Sequence, residues 1–387
     1  MIRVAVIADL LEENWPSMDL VAAMLMDRLA TEHGAEVEAT LVRPPMRRRL
    51  SRGTAPGPAF TFDRFAARLW DYPRIARATA PTFDVYHVVD HSYGHLVHEL
   101  PAERTLVTCH DLDAFRSVLY PALEPRSVLF RRMTRRVLDG VRKAGHIACA
   151  TEATRAGLIA DAGVPSGRTS VVLNGPHPSC TPAPEPFADA EASRALGSPA
   201  GRLDLLHVGS TIARKRIDIL LQVFALVCRS HPEARLVRVG GPFTAHQRAL
   251  VRDLGLEDRI VVLPFLDRST LAAVYRRSAL VLLPSEREGF GLPALEALAC
   301  GTPVVASDIA ALREVGGDAI AYCPPEDLDA WRAAVLEAID ERRTRPDRWT
   351  QRRRAGVDRA AAFSWSRFAA DVLALYRQLA PGARAPV

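Results

Sequence analysis

Apolar residues in this chain fall into short continuous runs, separated by longer stretches in which they recur at helical spacing. The runs occupy residues 4–8, 37–42, 84–89, 105–109, 147–150 and 169–173 in the first half. In the second half they occupy 203–209, 235–241, 260–263, 279–283 and 303–307. They are too short for helices and rich in Val, Ile and Leu, which predicts parallel strands covered on both faces. Amphipathic stretches between them, among them 19–33, 217–227, the segment from Leu292 onward and 365–379, predict the covering helices. Between Pro176 and Pro199 the composition shifts to Pro, Ala and Glu without clear periodicity, which reads as a linker or domain edge. The alternation fades after Tyr322, and no fixed-period repeat is present. A chain of 387 residues is too long for one core, so the expectation is α/β architecture in two domains.

Composition narrows the function class. Hydrophobic residues make up 48% and charged residues 25%, ordinary for a globular protein. The formal net charge of +5 suits anionic small molecules or an anionic membrane surface better than nucleic acid, for which no module signature appears. None of the six cysteines forms a CxxC pair, and their spacing suggests neither zinc nor a disulfide framework. The expectation is reduced thiols and a cytoplasmic protein. The apolar start Val4 to Ala8 is too short for a signal peptide, and no run reaches membrane-span length. Membrane contact would be peripheral. The segment Arg126–Lys143 places Phe130, Met133, Val137 and Val141 on one helical stripe, with Arg131, Arg132, Arg135, Arg136, Arg142 and Lys143 elsewhere. It reads as a surface helix with a solvated basic face, or as a basic face meeting anionic lipid. Residues 342–354 read as exposed helix and loop.

The chemistry concentrates in residues 284–307, PSEREGFGLPALEALACGTPVVAS, which follow the run ending at Leu283. Strand, glycine turn, helix and strand make one parallel βαβ unit with a phosphate-sized gap at its head. Glu288 sits on the loop and Glu296 about one turn into the helix, on the side that can face back. A helix beginning near Leu292-Pro293 aims its free N–H groups at the loop. A second strand end, Gly209-Ser210-Thr211, is followed by Arg214-Lys215-Arg216 and an apolar helix, neither a P-loop nor a GxGxxG fingerprint. Taken alone those cations read as a solvated helix start. Beside the first loop, Lys215 and Arg214 could meet an anion from the other side. A carboxylate would repel phosphate, so Glu296 suits the diol of a ribose and Glu288 a second polyol. Two diols and a pyrophosphate describe a nucleotide sugar.

The Glu288-x7-Glu296 context resembles the signature of family 4 (group 1) retaining glycosyltransferases. HVGSTIARKRIDILLQVF, VRVGGP, LPFLDRSTLAAVYRRSALVLLPS, Phe363-Ser364-Trp365, Val107-Thr108-Cys109-His110-Asp111-Leu112 and Val172-Leu173-Asn174-Gly175 are similar in character and order. The resemblance implies two Rossmann-like domains (GT-B), with parallel sheets facing across a deep cleft. An acceptor-binding domain would span 1–180 and a nucleotide-sugar-binding domain 181–365, with a C-terminal helix in 366–387 packing back on the first. It implies that Glu296 binds ribose hydroxyls and Glu288 donor-sugar hydroxyls. Backbone N–H groups of Phe290, Gly291 and Leu292 would face sugar and phosphates. Arg214 and Lys215 would neutralise the leaving diphosphate beside Gly209 and Ser210, Phe265 would meet the base, and His110 would lie near the transferred sugar. Anomeric configuration would be retained, with no enzyme nucleophile, cofactor or metal.

The alternatives for single residues are bland. His110 could be a satisfied histidine at a strand end, Asp111-x-Asp113 is a chance DxD pair or a metal pair, and His91, His95 and His98 line a helix start or an acceptor wall rather than zinc. The family's paired glycines after the first strand are replaced here by Asp9 to Asp19, with Glu12, Glu13, Trp15 and a candidate helix cap at Ser17. That puts Trp15, Asp19 and His91 on the acceptor side. The expected activity is sugar transfer from a nucleoside-diphosphate sugar to a glycan or lipid-linked acceptor in cell-envelope synthesis, at or near the inner membrane face. Competing readings are an epimerase or phosphorylase on the same fold, or a decayed nucleotide-sugar-binding subunit.

Overall fold

The computed structural model describes residues 1–52, 57–197 and 203–382. The last two residues of the expected linker, 198–199, and the end of the C-terminal segment, 383–387, lie outside the described residues. The apolar runs become strands. In the first sheet these are β1 (Ile2–Ile7), β2 (Val37–Val42), β3 (Val85–Val88), β4 (Thr105–Cys109), β5 (His146–Cys149) and β6 (Thr169–Val171). All pair in parallel, in the order β2-β1-β3-β4-β5-β6. In the second sheet β7 (Asp204–Val208), β8 (Arg235–Val239), β9 (Ile260–Leu263), β10 (Leu280–Leu283), β11 (Val304–Ser307) and β12 (Ile320–Cys323) pair in the order β12-β11-β10-β7-β8-β9, again all parallel. Central strands are buried on both faces, as β3, β4, β10 and β11 show, which is why they read as unbroken apolar runs.

The two orders matter for function. In the second sheet the chain runs outward through β7, β8 and β9, then returns to the far side of β7 with β10. That is the doubly wound dinucleotide-binding order, and its direction reverses between β7 and β10. In the first sheet the reversal lies between β1 and β3. Ligands of such sheets bind beyond the carboxyl ends of the strands flanking the reversal.

Two compact units result: Met1–Asn174 with Ser364–Val387, and Gly175–Phe363. The helix Trp365–Leu379 belongs to the first unit. Its Tyr376 hydroxyl lies 2.7 Å from His87 Nδ1, whose Nε2 lies 2.7 Å from Thr108 Oγ1. Ser366 Oγ donates to Glu32 at 2.7 Å. Phe368, Val372, Leu373 and Tyr376 are buried, a three-and-four spacing that makes one apolar face.

Three local expectations are corrected and a fourth holds. The stretch 176–199 contains a helix, Pro186–Leu196. Glu185 caps it by accepting from Ala188 N at 2.7 Å, Gly197 ends it in the left-handed conformation, and Ala188, Ala192 and Leu196 bury one face. The basic helix runs Val128–Lys143 from a Ser127 cap, and its inner residues are Thr134, Leu138, Gly140 and Val141. Phe130 is exposed, so the buried face is rotated from the expected stripe. Residues 342–354 close the helix Leu328–Thr344 and open Pro346–Ala360. Arg352 there makes two 2.9 Å bonds to buried Glu341 and Arg353 donates to Gly301 O at 2.7 Å, but most of the segment is exposed, as expected. Ser17 caps nothing: the helix Pro16–Glu32 starts with its proline at the first position, after Trp15.

Candidate active site

The second unit assembles the carboxylates and cations at the carboxyl ends of β7 and β10, where the sheet reverses. After β7 the chain passes Gly209 and Ser210 into a short turn, Ala213–Lys215, and then enters the helix Ile217–Cys228 through Arg216 in a left-handed conformation. After β10 it forms the loop to Gly291, and the helix Leu292–Ala299 follows. Glu286 N donates to Arg214 O at 2.8 Å and ties the two loops together. Gly291 adopts φ 94°, and a Cβ there would lie 2.5 Å from Leu312 Cδ2, so only glycine fits this helix entrance.

Glu288 lies between the cations. Its Oε1 accepts from Lys215 Nζ at 2.5 Å and Ser285 Oγ at 2.7 Å, and its Oε2 from Arg214 Nη1 at 3.2 Å. Arg214 also donates to Arg287 O at 2.8 Å. Burial alone would raise the carboxyl pKa, but the charges of Lys215 and Arg214 outweigh it and hold Glu288 below its ordinary value. Arg216 turns away, to Asp218 at 2.9 Å and Glu326 at 3.0 Å, so the three consecutive cations split between the site and a structural pair.

Glu296 is buried on the first turns of its helix. Tyr275 Oη donates to Oε2 at 3.2 Å and Arg268 Nη1 approaches Oε1 at 3.5 Å. Burial raises its pKa against the pull of Arg268 and the Tyr275 bond. Each carboxylate oxygen keeps lone-pair capacity beyond its protein partner. Sequence reasoning passed over both partners, although Arg268 and Tyr275 stand seven residues apart on the helix Arg268–Arg277 and so share a face. Phe290 turns its ring inward, 6.0 Å from Phe363, leaving its backbone toward the loop. Phe265 is exposed beyond β9.

Beneath the β7 loop lies a second set that the sequence did not flag. Arg238, fully buried on β8, donates to Gly209 O at 3.0 Å and to Gly241 O, and stacks 5.1 Å from the Phe243 ring. No ion pair among the described residues involves it, and burial lowers its pKa to about 10. His207 is fully buried alongside, and burial and the charge of Arg238 keep it neutral, near 3.

The remaining candidates belong to the first unit. His110 Nε2 lies 2.8 Å from Val89 O, and a carbonyl only accepts, so this nitrogen carries the proton and Nδ1 is the acceptor. Burial, and then neighbouring His91, lowers its pKa. His91 Nδ1 accepts from His110 N at 3.3 Å, and its Nε2 faces Asp111 at 3.5 Å. His95 and His98 turn instead to the carbonyls of Arg68 and Arg136, so the histidines do not converge. Among the described residues no group of three or more His, Cys, Asp or Glu could hold a metal ion. Asp19 pairs with Arg43 at 3.0 Å, and Trp15 is partly exposed. Glu13, noted only as a departure, is a buried anchor: Arg64 at 3.1 Å, Arg68 at 3.2 Å and Tyr93 Oη at 3.2 Å hold it. Asp9, at the end of β1, is buried, and neither carboxylate oxygen has a hydrogen-bond partner.

Residues 189–355 match the family described as glycosyl transferases group 1, and residues 21–179 match glycosyltransferase family 4. The chain belongs to this glycosyltransferase family. Its E-x7-E pair lies within the residues 189–355 that the group 1 description matches. Similar proteins include the D-inositol 3-phosphate glycosyltransferases of Segniliparus rotundus, 38% identical over 51% of this chain and 45% of the relative, and of Kineococcus radiotolerans, 34% identical over 62% and 58%. The chain thus spans about half the length of these curated relatives. Among solved structures, sucrose-phosphate synthase from Thermosynechococcus elongatus superposes with a TM-score of 0.75 at 22% identity, covering 98% of this chain and 99% of that one. Anabaena HepE in complex with UDP and glucose gives 0.71 at 15% identity, covering 97% and 99%. At such identities the likeness shows the fold, that of the two-sheet GT-B glycosyltransferases.

Proposed function

We propose that this family 4 member is a retaining glycosyltransferase that moves a sugar from a nucleoside-diphosphate sugar to an acceptor hydroxyl in cell-envelope glycan, polysaccharide or glycolipid synthesis. One observation carries the reading: a buried carboxylate, Glu288, clasped by Lys215 and Arg214 in front of a helix N-terminus at the sheet reversal. Two cations against one carboxylate leave one net positive charge, and helix N–H groups add to it. A diphosphate entering there draws Lys215 and Arg214 toward its oxygens and frees Glu288 to accept from sugar hydroxyls. Departure of the diphosphate builds negative charge where these groups already point, so they stabilise the transition state without reorganising. Glu296, oriented by Tyr275 and Arg268, takes the ribose diol. By the family resemblance Phe265 takes the base, and His110 of the first unit is the candidate for the transferred sugar. The acceptor hydroxyl attacks from the face the diphosphate leaves, which retains configuration without an enzyme nucleophile, and the fixed cations do the work of a metal.

The complexes of HepE with UDP-glucose support a UDP-sugar as the first donor to test. The acceptor is a glycan or a lipid-linked intermediate, reached by a cytoplasmic protein in peripheral contact with an anionic membrane. The decisive experiment is a donor screen by thermal shift over UDP-, GDP- and ADP-sugars, followed by transfer assays with and without EDTA. An α-linked product from an α-donor, with EDTA inert, supports the reading. Free altered sugar without acceptor, dependence on inorganic phosphate, or absence of any nucleotide-diphosphate binding overturns it.

A further inference from the structure

The first unit carries a surface whose side chains oppose the usual inside-out rule. The helix Pro58–Ala66 continues through a π turn, Ala67–Asp71, into Tyr72–Thr79. Its inner side is satisfied by Asp63, Ala67, Tyr72 and Ala76, all buried. Its outer side presents Phe62, Phe65 and Leu69 at three-and-four spacing, with Trp70 adjoining, and all four are exposed, Trp70 by 62%. A soluble surface helix normally carries polar residues at such positions.

Cations flank this ridge. Residues Arg47–Arg52 run alongside it, stapled by Asp63, which accepts from Ser51 N at 2.8 Å and Leu50 N at 3.1 Å. Within that strip Leu50 is 60% exposed, Arg47 and Arg52 are exposed, and Arg49 reaches Asp71 at 2.7 Å. Arg74 lies over the Trp70 ring at 3.8 Å.

A second ridge of the same character stands on the helix Val128–Lys143, which packs on the segment His91–Glu99 as Tyr72–Thr79 does. It is the start of the basic helix, where Val128, Leu129 and Phe130 are exposed. Arg126 sits 5.5 Å from the Phe130 ring, and Arg132 and Arg135 are exposed. Glu99 joins the two flanks, paired with Arg77 on one side and with Arg136 at 3.4 Å on the other.

From this pairing of apolar ridges with arginine borders, we infer that the two ridges form the surface by which the first unit docks on an anionic lipid bilayer. Aromatic and aliphatic side chains enter the headgroup boundary while guanidinium groups stay at lipid phosphates, the division of labour of interfacial amphipathic helices. Arginine suits the role because its stem lies along apolar surface and its head binds phosphate bidentately. The nearby carboxylates oppose little of this, since Asp71 and Glu99 are already paired with arginines and Asp63 is buried. The inference rests on the peripheral contact proposed above and assigns it to named residues. It moves the main contact from the basic helix alone to a surface led by residues 62–70.

The test is co-sedimentation of the full chain with phosphatidylcholine–phosphatidylglycerol vesicles and with pure phosphatidylcholine vesicles. Wild type should bind the anionic vesicles, and less so at high salt. The double variant Phe62→Ser/Trp70→Ser should bind roughly tenfold or more weakly, and Val128→Ser/Leu129→Ser should also weaken binding. Both should keep wild-type melting temperature and donor affinity, because these side chains are exposed and lie outside the donor site. Wild-type binding that neither variant weakens overturns the surface assignment and leaves the peripheral contact standing. No binding by wild type overturns both. Equal binding to the uncharged vesicles overturns the electrostatic half. A concentration-dependent dimer that the variants abolish, without vesicle binding, assigns the ridge to self-association instead.

Discussion

Glu288 shows how one side chain can hold two roles in tension. It pairs with both Lys215 and Arg214 in the free protein, yet any diphosphate arriving there must compete with it for both. Glu288→Gln should therefore destabilise the second unit, by about 3 kcal/mol, because two part-buried cations lose their carboxylate. The same change should tighten nucleoside-diphosphate binding, by roughly tenfold in calorimetry, while sugar transfer falls. Tighter binding with faster transfer would remove Glu288 from the reaction. Asp9 sets a different balance. Burial first, then Asp90 and Asp19, pushes its pKa up to about 7 from 3.8. The folded state thus holds a proton that the unfolded state has already released between these values, and stability falls as pH rises through that window. Asp9→Asn should match wild type near pH 4 and be more stable by about 2 kcal/mol at pH 8, once solvent screening trims the full linkage. Thermal melts at the two pH values check this, and a stabilisation independent of pH would point to packing instead.

Secondary-structure elements meet tightly under the β7 loop. Gly240 has φ 127°, and a Cβ there would stand 2.1 Å from Gly209 O, the carbonyl that Arg238 holds. Gly240→Ala should cost about 3 kcal/mol and weaken donor binding, because the loop before Lys215 must shift. Unchanged donor affinity in a folded variant would separate this contact from the site. How far such elements can be read beforehand depends on what defines them. A strand such as β10 announces itself, since burial on both faces of a parallel sheet demands an unbroken run such as Leu280-Val281-Leu282-Leu283. β12, at a sheet edge and only half-buried, carries Ile320-Ala321-Tyr322-Cys323 and no such mark. The helix Pro186–Leu196 hid because a helix anchored by two alanines and one leucine has little apolar contrast. The site was legible where neighbours in sequence are neighbours in space, as with Glu288 and its glycine turn. It was not legible where tertiary packing supplies the partner, as Tyr275 does for Glu296 and Arg238 for Gly209.

The chain as a whole is threaded, not simply divided. The first unit is interrupted by the 175–363 unit and completed by Trp365–Leu379, whose Tyr376 meets His87 and whose Arg377 meets Glu36 at 2.5 Å. Ending the chain after Phe363 should leave the proposed nucleotide binding of the second unit intact and unfold the first, seen as loss of one of two thermal transitions. Tyr376→Ala should lower that transition alone, by roughly 3–5 kcal/mol of stability. Equal damage to both transitions would show the units to be one cooperative body. The strand orders carry a further lesson, because apolar runs reveal that strands exist but not that β10 returns beside β7. That return is set by pairings between residues far apart in the chain, and it creates the site. The late helix also sets a timetable for biosynthesis. Domains fold as they leave the ribosome, amino end first. Here the first half of the chain emerges early yet lacks a wall of its core until Trp365–Leu379 emerges. The second unit, made later, can finish first. During that interval β4 and β5 wait for the face that covers them, which should expose the nascent first unit to chaperones and prematurely terminated chains to proteolysis.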